Sequence, residues 1–277
     1  MAPLSPRPSA EAAPLVPSTD TVPLVPSADT VPLVPSADLL YVDDHIVATA
    51  KPSGLLVHRS SWAEDDSAAL QAARDAISAH VYPVHRLDRG ASGVLLFARS
   101  SAVARALHEL FESGAVTKRY LVLVRGRPPD YGLVEHAIPR REGGPRVPAA
   151  TAYARLQVVS VPVFADETCE SHAEPHAAAA SRSFSLVEAV PRTGRLHQLR
   201  RHFKHLGHPV VGDANYGRGE LNRLCRDRFG LARLALHARE LAFTHPITGA
   251  RLRLVAPMPD DLATPLARMG FSPVDPP

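Results

Sequence analysis

Prolines recur so densely between residues 14 and 38 that no regular helix or inner strand can form there, and this sets where folding begins. A nine-residue unit repeats: Pro-Leu-Val-Pro-Ser-Thr-Asp-Thr-Val, then Pro-Leu-Val-Pro-Ser-Ala-Asp-Thr-Val, then the shortened Pro-Leu-Val-Pro-Ser-Ala-Asp. Proline fixes its own φ and lacks the N–H that both ladders need. Units this short and proline-rich cannot build a packed solenoid layer. Residues 1–38 are therefore expected to be a disordered, partly polyproline-like tail.

From Leu39 onward the pattern changes. Hydrophobic residues make up 45% of the 277-residue chain, enough for a sizeable core, and one large domain is expected over 39–260 with a C-terminal tail at 261–277. Leu39 to Ala50 reads as two short strands joined by an Asp-Asp turn. Ser100-Ser101 can cap a helix whose apolar residues Val103, Leu107, Leu110 and Phe111 share one face, and Gly114 can end it. Tyr120 to Val124, Phe184 to Val190, Leu241 to Thr244 and Arg251 to Val255 read as strands, the last two joined by a His245-Pro246-Ile247-Thr248-Gly249 turn. Small and polar residues at 165–181 interrupt the pattern as an insertion loop. The class implied is α+β, dominated by sheet.

Several functions fall away. No apolar run reaches the length of a membrane span, and the N-terminus lacks the basic start and apolar stretch of a signal peptide. A cytoplasmic location is expected, with Cys169 and Cys225 reduced. Cys169, His172 and His176 have metal-like spacing, but Pro175 interrupts the helix that would align them and no fourth ligand is evident. His197, His202, His205 and His208 scatter around their helix. No metal and no cofactor are expected.

The formal charge is only +3, yet between residues 182 and 253 fourteen Lys and Arg face five Asp and Glu. Such a segment suits an RNA backbone, or is simply a solvated basic surface. Within it, Leu199, Phe203 and Leu206 share a helix face that leaves Arg200, Arg201 and Lys204 off it, with Gly207 as the stop. A basic helix behind the Thr193-Gly194 turn can present amides and guanidinium groups to phosphate.

The chemistry concentrates in Val84-His85-Arg86-Leu87-Asp88-Arg89-Gly90-Ala91-Ser92-Gly93, followed by an apolar strand. Adjacent cations favour the ionised form of an aspartate, and a glycine-rich turn admits a substrate backbone. These residues alone fit a catalytic carboxylate and a structural salt bridge equally well.

The segment resembles the HRLDxxTSG signature of the RluA family of pseudouridine synthases, with Ala91 at the usual threonine. Other motifs of that family follow in order. Lys51-Pro52-Ser53-Gly54 resembles KPxG, and Lys118-Arg119-Tyr120 resembles KxY. Arg192 to His202 resembles TGRxHQxRxH, and His208 to Asp213 and His245 to Gly249 complete the set. The similarity runs from about residue 39 to 257 and implies the pseudouridine synthase catalytic fold, an α+β fold with a mixed, mostly antiparallel sheet core and flanking helices.

The resemblance also implies roles. Asp88 would be the catalytic carboxylate that acts, as nucleophile or base, on the ribosyl part of a flipped-out uridine. The C1′–N1 bond then breaks and C5 rejoins C1′. Arg200 would be its charge partner, Tyr120 the aromatic that stacks on the base, and Arg86 the side chain that fills the vacated stack. Lys51, Arg195, His197 and Gln198 are read as substrate contacts. The missing hydroxyl at Ala91 is expected to weaken a turn contact near Asp88.

Finer likeness, and the lack of an S4-like module before the domain, favour a tRNA-modifying branch over an rRNA-modifying one. The expected protein is thus a monomer acting on RNA. Two rivals remain: a non-catalytic RNA-binding protein on the same fold, and a glycoside hydrolase, which needs a second carboxylate.

Overall fold

The computed structural model describes residues 39–57, 69–139, 143–163 and 180–274. The expected tail at 1–38 and the candidate metal residues Cys169, His172 and His176 lie outside them. In chain order the elements are β1 (Leu39–Val42), β2 (Ile46–Lys51), α1 (Ala69–Ile77), β3 (Tyr82–Pro83), β4 (Ser92–Ala98), α2 (Ser101–Glu112), β5 (Thr117–Arg125) and β6 (Tyr131–Glu135). There follow β7 (Ile138–Pro139), β8 (Arg146–Val147), β9 (Ala150–Val163), β10 (Ala180–Pro191), α3 (Gln198–His205), α4 (Gly219–Phe229), β11 (Leu236–Thr244), β12 (Arg251–Val255) and α5 (Asp260–Met269).

One sheet carries the domain, in the order β1-β2-β4-β11-β5-β10-β9-β6, with β12 on β11 and β3 on β4. Among the described residues, only β4 and β11 run parallel. The sheet is mixed and mostly antiparallel, as the family resemblance implies.

Strand β4 is buried along its whole length because both of its faces are covered. Its side chains alternate between them. Val94, Leu96 and Ala98 pack with Val103 and Leu107 of α2. Leu95 and Phe97 pack with Ala69 and Ala73 of α1. The α2 helix begins as expected: Ser100 Oγ accepts the Val103 amide at 3.3 Å.

Three expectations need correction. Residues 261–274 do not trail away, because α5 runs from Asp260 to Met269 and buries Leu262, Leu266 and Met269, with Phe271 beyond it, against Leu221, Cys225 and Phe229, and 275–277 lie outside the described residues. Pro265 inside this helix removes one ladder bond, and its own burial among these apolar side chains offsets the cost. Of the loop expected at 165–181, residues 165–179 lie outside the described residues, and Ala180 and Ser181 already pair with Val163 and Pro162. In α3, Arg200 is not off the apolar face: it is buried beside Leu199 and Phe203.

The parallel contact between β4 and β11 depends on Gly93, whose φ is 119° and which pairs with Ala238. A Cβ there would fall against the Ala238 backbone far inside contact distance. This is why glycine follows Ser92 in the loop motif, and it seats the strand that leaves the Asp88 loop. Replacing Gly93 with Ala is expected to destabilise the protein by roughly 2 kcal/mol or more, read as a lower midpoint in urea unfolding at unchanged slope.

Candidate active site

Asp88 lies in the loop between β3 and β4, and the loop is tied at both ends. At its start, His85 accepts the Leu96 amide through Nε2 at 2.9 Å and stacks on Phe111. Burial, with Lys118 adding to it, pushes the His85 imidazole down to about 3, so it remains a neutral acceptor. Leu87 is buried in the core beneath. After Asp88, the Ala91 amide donates to the Asp88 carbonyl at 3.0 Å. The turn is thus closed by backbone, and Ala91 packs into the core without needing a hydroxyl.

The Lys51-Pro52-Ser53-Gly54 turn clamps the same loop from the side. The Gly54 amide donates to the Arg89 carbonyl at 2.8 Å, Arg89 Nε to the Gly54 carbonyl at 2.9 Å, and Ser53 Oγ to the Gly90 carbonyl at 2.7 Å. Lys51 is 2% exposed and gives its ammonium to the carbonyls of Pro52, Leu55 and Arg89. Burial lowers its pKa to about 8, Arg233 adding to the shift and Asp88 opposing it. With three donors spent on protein, Lys51 holds the loop and has none left for substrate.

Arg200 reaches Asp88 from α3, with Nη1 at 3.2 Å from Oδ2. Its Nε and Nη2 grip both oxygens of Asp213, at 2.7 and 2.9 Å. Asp213, whose side chain is fully buried, also accepts the amides of Asn215 and Tyr216. Burial opposes both charges, but the pair outweighs it: the Arg200 guanidinium is held above its ordinary pKa, and the Asp213 carboxyl below the usual range. His197 faces the other oxygen of Asp88, with Nε2 at 4.0 Å from Oδ1.

Tyr120, on β5, is half-buried between two core clusters. Burial first, and the nearby charge of Asp88 second, push its phenol well above the ordinary tyrosine range. Arg86 is exposed at the mouth of the loop, with no side-chain partner among the described residues. Arg195 is half-exposed beside the Pro148 carbonyl. Gln198 faces inward. It is buried, accepts from Thr193 Oγ1 and the Arg195 amide, and donates to the Ala150 carbonyl and Thr151 Oγ1. It braces the Thr-Gly turn and offers nothing outward.

The basic segment divides likewise. Lys204, Arg218, Arg223 and Arg226 are exposed, whereas Arg200 and Arg239 are buried and Arg233 is half-buried against Asp261 and Ser92. The four histidines near α3 each meet a different group: His197 the Tyr216 hydroxyl, His202 Thr151, His205 the ring of His136, and His208 the Arg125 carbonyl.

A cleft of about 630 Å³ opens over Asp88. Arg86, Arg89, Arg200 and Arg233 line it, with Asp88 and Asp213, so it favours an anionic ligand. A second carboxylate is therefore present, unlike the sequence expectation. Both its oxygens are taken by Arg200 and backbone amides, so it is in no position to act as the acid or base of a glycoside hydrolase. Asp213 sat unassigned in the His208–Asp213 motif, where an acid closing an apolar run was the available signal. Tyr216 had none.

Residues 45–205 match the family described as RNA pseudouridylate synthase. The chain belongs to that family. Proteins named tRNA pseudouridine synthase C in Haemophilus ducreyi and Yersinia pestis are 42% and 39% identical to this synthase. They align over 79% and 86% of this chain and 89% and 93% of their own. Human RNA Pseudouridylate Synthase Domain Containing 4 has the same fold, at a TM-score of 0.60 and 28% identity, over 84% of this chain and 92% of that one. The protein is thus an RNA pseudouridine synthase, an isomerase acting on RNA. Among the described residues, no helix of this synthase is long and apolar enough to cross a membrane.

Removing Asp213 leaves Arg200 buried with half its partners. Asp213→Ala is expected to cost about 3 kcal/mol of stability, as when one member of a buried pair is lost, and to slow pseudouridine formation more than tenfold. Thermal unfolding and a single-turnover assay check both.

Proposed function

We propose that this synthase converts uridine to pseudouridine in tRNA, with Asp88 as the carboxylate that acts on the ribose. The observation that carries this reading is the setting of Asp88: a part-exposed carboxylate at the floor of a cationic cleft, braced through Arg200 by a buried Asp213. The names of the bacterial relatives, at about 40% identity over most of the chain, support tRNA as the substrate class.

Each residue then has a task. Arg200 holds one carboxylate oxygen and leaves the rest of Asp88 facing the cleft. A target uridine leaves its stack to enter, and Arg86, exposed and unpartnered among the described residues, fills the space it vacates. The ring of Tyr120 backs the base. Asp88 engages the ribosyl carbon or its neighbouring proton, the C1′–N1 bond breaks, and the freed uracil turns. C5 then bonds to C1′ as Asp88 leaves that carbon or returns the proton it took, the C5 proton is lost, and N1 ends protonated, so no atom is gained or lost. Arg195 and the exposed cations Lys204 and Arg218 meet the phosphates. These contacts make binding weaken as salt rises.

Asp88→Asn tests the assignment, since it keeps the shape and removes the charge. Tritium release from 5-tritiated uridine in tRNA is expected to fall at least about a thousandfold, while filter binding of tRNA stays within threefold of wild type. Pseudouridine mapped across total RNA should lose a tRNA site on deletion and regain it with wild type but not with Asp88→Asn. Wild-type turnover in the variant sinks the assignment; a lost site in rRNA alone sinks the substrate.

A further inference from the structure

His197 occupies the residue just before α3, with its backbone in the left-handed region at φ 51°. A side chain there costs energy and persists only where its surroundings hold it. Those surroundings grip the imidazole from both ends. Nδ1 lies 3.2 Å from the Tyr216 hydroxyl, and Nε2 faces Oδ1 of Asp88 across 4.0 Å.

The proton can be placed from the chemistry of the partners. Arg201 donates through Nε to the Tyr216 oxygen at 2.8 Å, and arginine has no acceptor. Tyr216 is therefore an acceptor toward Arg201, and its own hydrogen is free to point at Nδ1. The carboxylate makes the same demand from the opposite end, because a bare Nε2 lone pair facing Oδ1 is repelled and an N–H is attracted. Both partners select the tautomer with hydrogen on Nε2.

We propose that Arg201, Tyr216 and His197 form a positioning chain that holds His197 as the neutral Nε2–H tautomer aimed at the second oxygen of Asp88. This rests on reading Asp88 as the reacting carboxylate. Arg200 then restrains Oδ2 and His197 Oδ1, so the carboxylate plane is set from both sides. At 4.0 Å the N–H is short of hydrogen-bond reach, and it closes on Oδ1 when the nucleotide fills the cleft, as such bonds tighten on substrate binding.

The charges around the ring agree. Burial lowers the affinity of His197 for a second proton, Arg200 and Arg201 add to this, and Asp88 and Asp213 oppose it, with the balance below the ordinary histidine value. The Tyr216 ring is itself held under the cations of Arg200, Arg201 and Lys204, at 5.1, 5.5 and 5.7 Å from its centroid. Its backbone amide donates to Asp213. One buried aspartate thus supports both partners of Asp88.

The test combines a spectrum with substitutions. In long-range proton–nitrogen correlation spectra of the ¹⁵N-histidine-labelled full chain, His197 is assigned among the fourteen histidines by its absence in His197→Gln. The expected pattern is Nε2–H with a bare Nδ1, and a mixed pattern in Tyr216→Phe, which keeps the ring and removes the hydroxyl. An Nδ1–H pattern in wild type overturns the proposal before any variant is made.

Single-turnover rates supply the second arm. A glutamine amide reaches the place of Nε2 and an asparagine amide that of Nδ1. His197→Gln is therefore expected to slow the reaction about threefold and His197→Asn roughly thirtyfold, with tRNA affinity unmoved in both. Equal losses in the two variants, or losses confined to affinity, overturn the positioning role. Asp88→Asn separates the two readings: turnover surviving in it overturns the role of Asp88 whatever the tautomer, whereas an Nδ1–H spectrum overturns the His197 chain alone.

Discussion

The bidentate pair between Arg200 and Asp213 is the contact on which the site depends. Two charges taken out of water are costly unless each finds partners for its remaining donors and acceptors. Here Asp213 spreads its charge over Arg200 and the amides of Asn215 and Tyr216, while Arg200 keeps one amino group for Asp88. The pair fixes the angle at which α3 presents its cation. It does so without using the carboxylate that faces the cleft.

Several motif residues serve that same carboxylate from a distance. His85 ties the loop to β4 by accepting the Leu96 amide, Gly93 lets β4 lie against β11, and the Lys51–Gly54 turn clamps the backbone just past Asp88. Lys51 shows how a cation becomes structural. Its ammonium, surrounded by three carbonyls, organises a tight turn much as a bound metal would. Gln198 does the neutral equivalent for the Thr-Gly turn that precedes α3.

The α+β class, the first two strands, the Ser100-capped helix and the β11–β12 hairpin were legible because local chemistry decides them: alternation, a capping hydroxyl, a turn rich in Pro, Thr and Gly. The α5 helix was not. Pro265 lies inside it, and the burial of Leu262, Leu266 and Met269 against α4 is what holds the helix together. Arg200 was legible as a partner of Asp88 through motif order. Its burial was not, since periodicity alone places an arginine on the wet side of a helix.

By itself the sequence, through the order of motifs that resemble those of a known family, pointed to Asp88 as the candidate carboxylate and to residues that could surround it, because ordered motifs are a property of the chain. Tertiary structure alone decided what each does. Asp88 and Arg200 are 112 residues apart, and Asp213, Tyr216 and Arg201 come into play only once α3 and the segment after it fold back over the β3–β4 loop. Hydrogen bonds and desolvation act over a few ångströms of space, not along the chain. So Lys51 and Gln198, polar and open in one dimension, became buried braces, and Asp213, anonymous in a motif, became the support of the site.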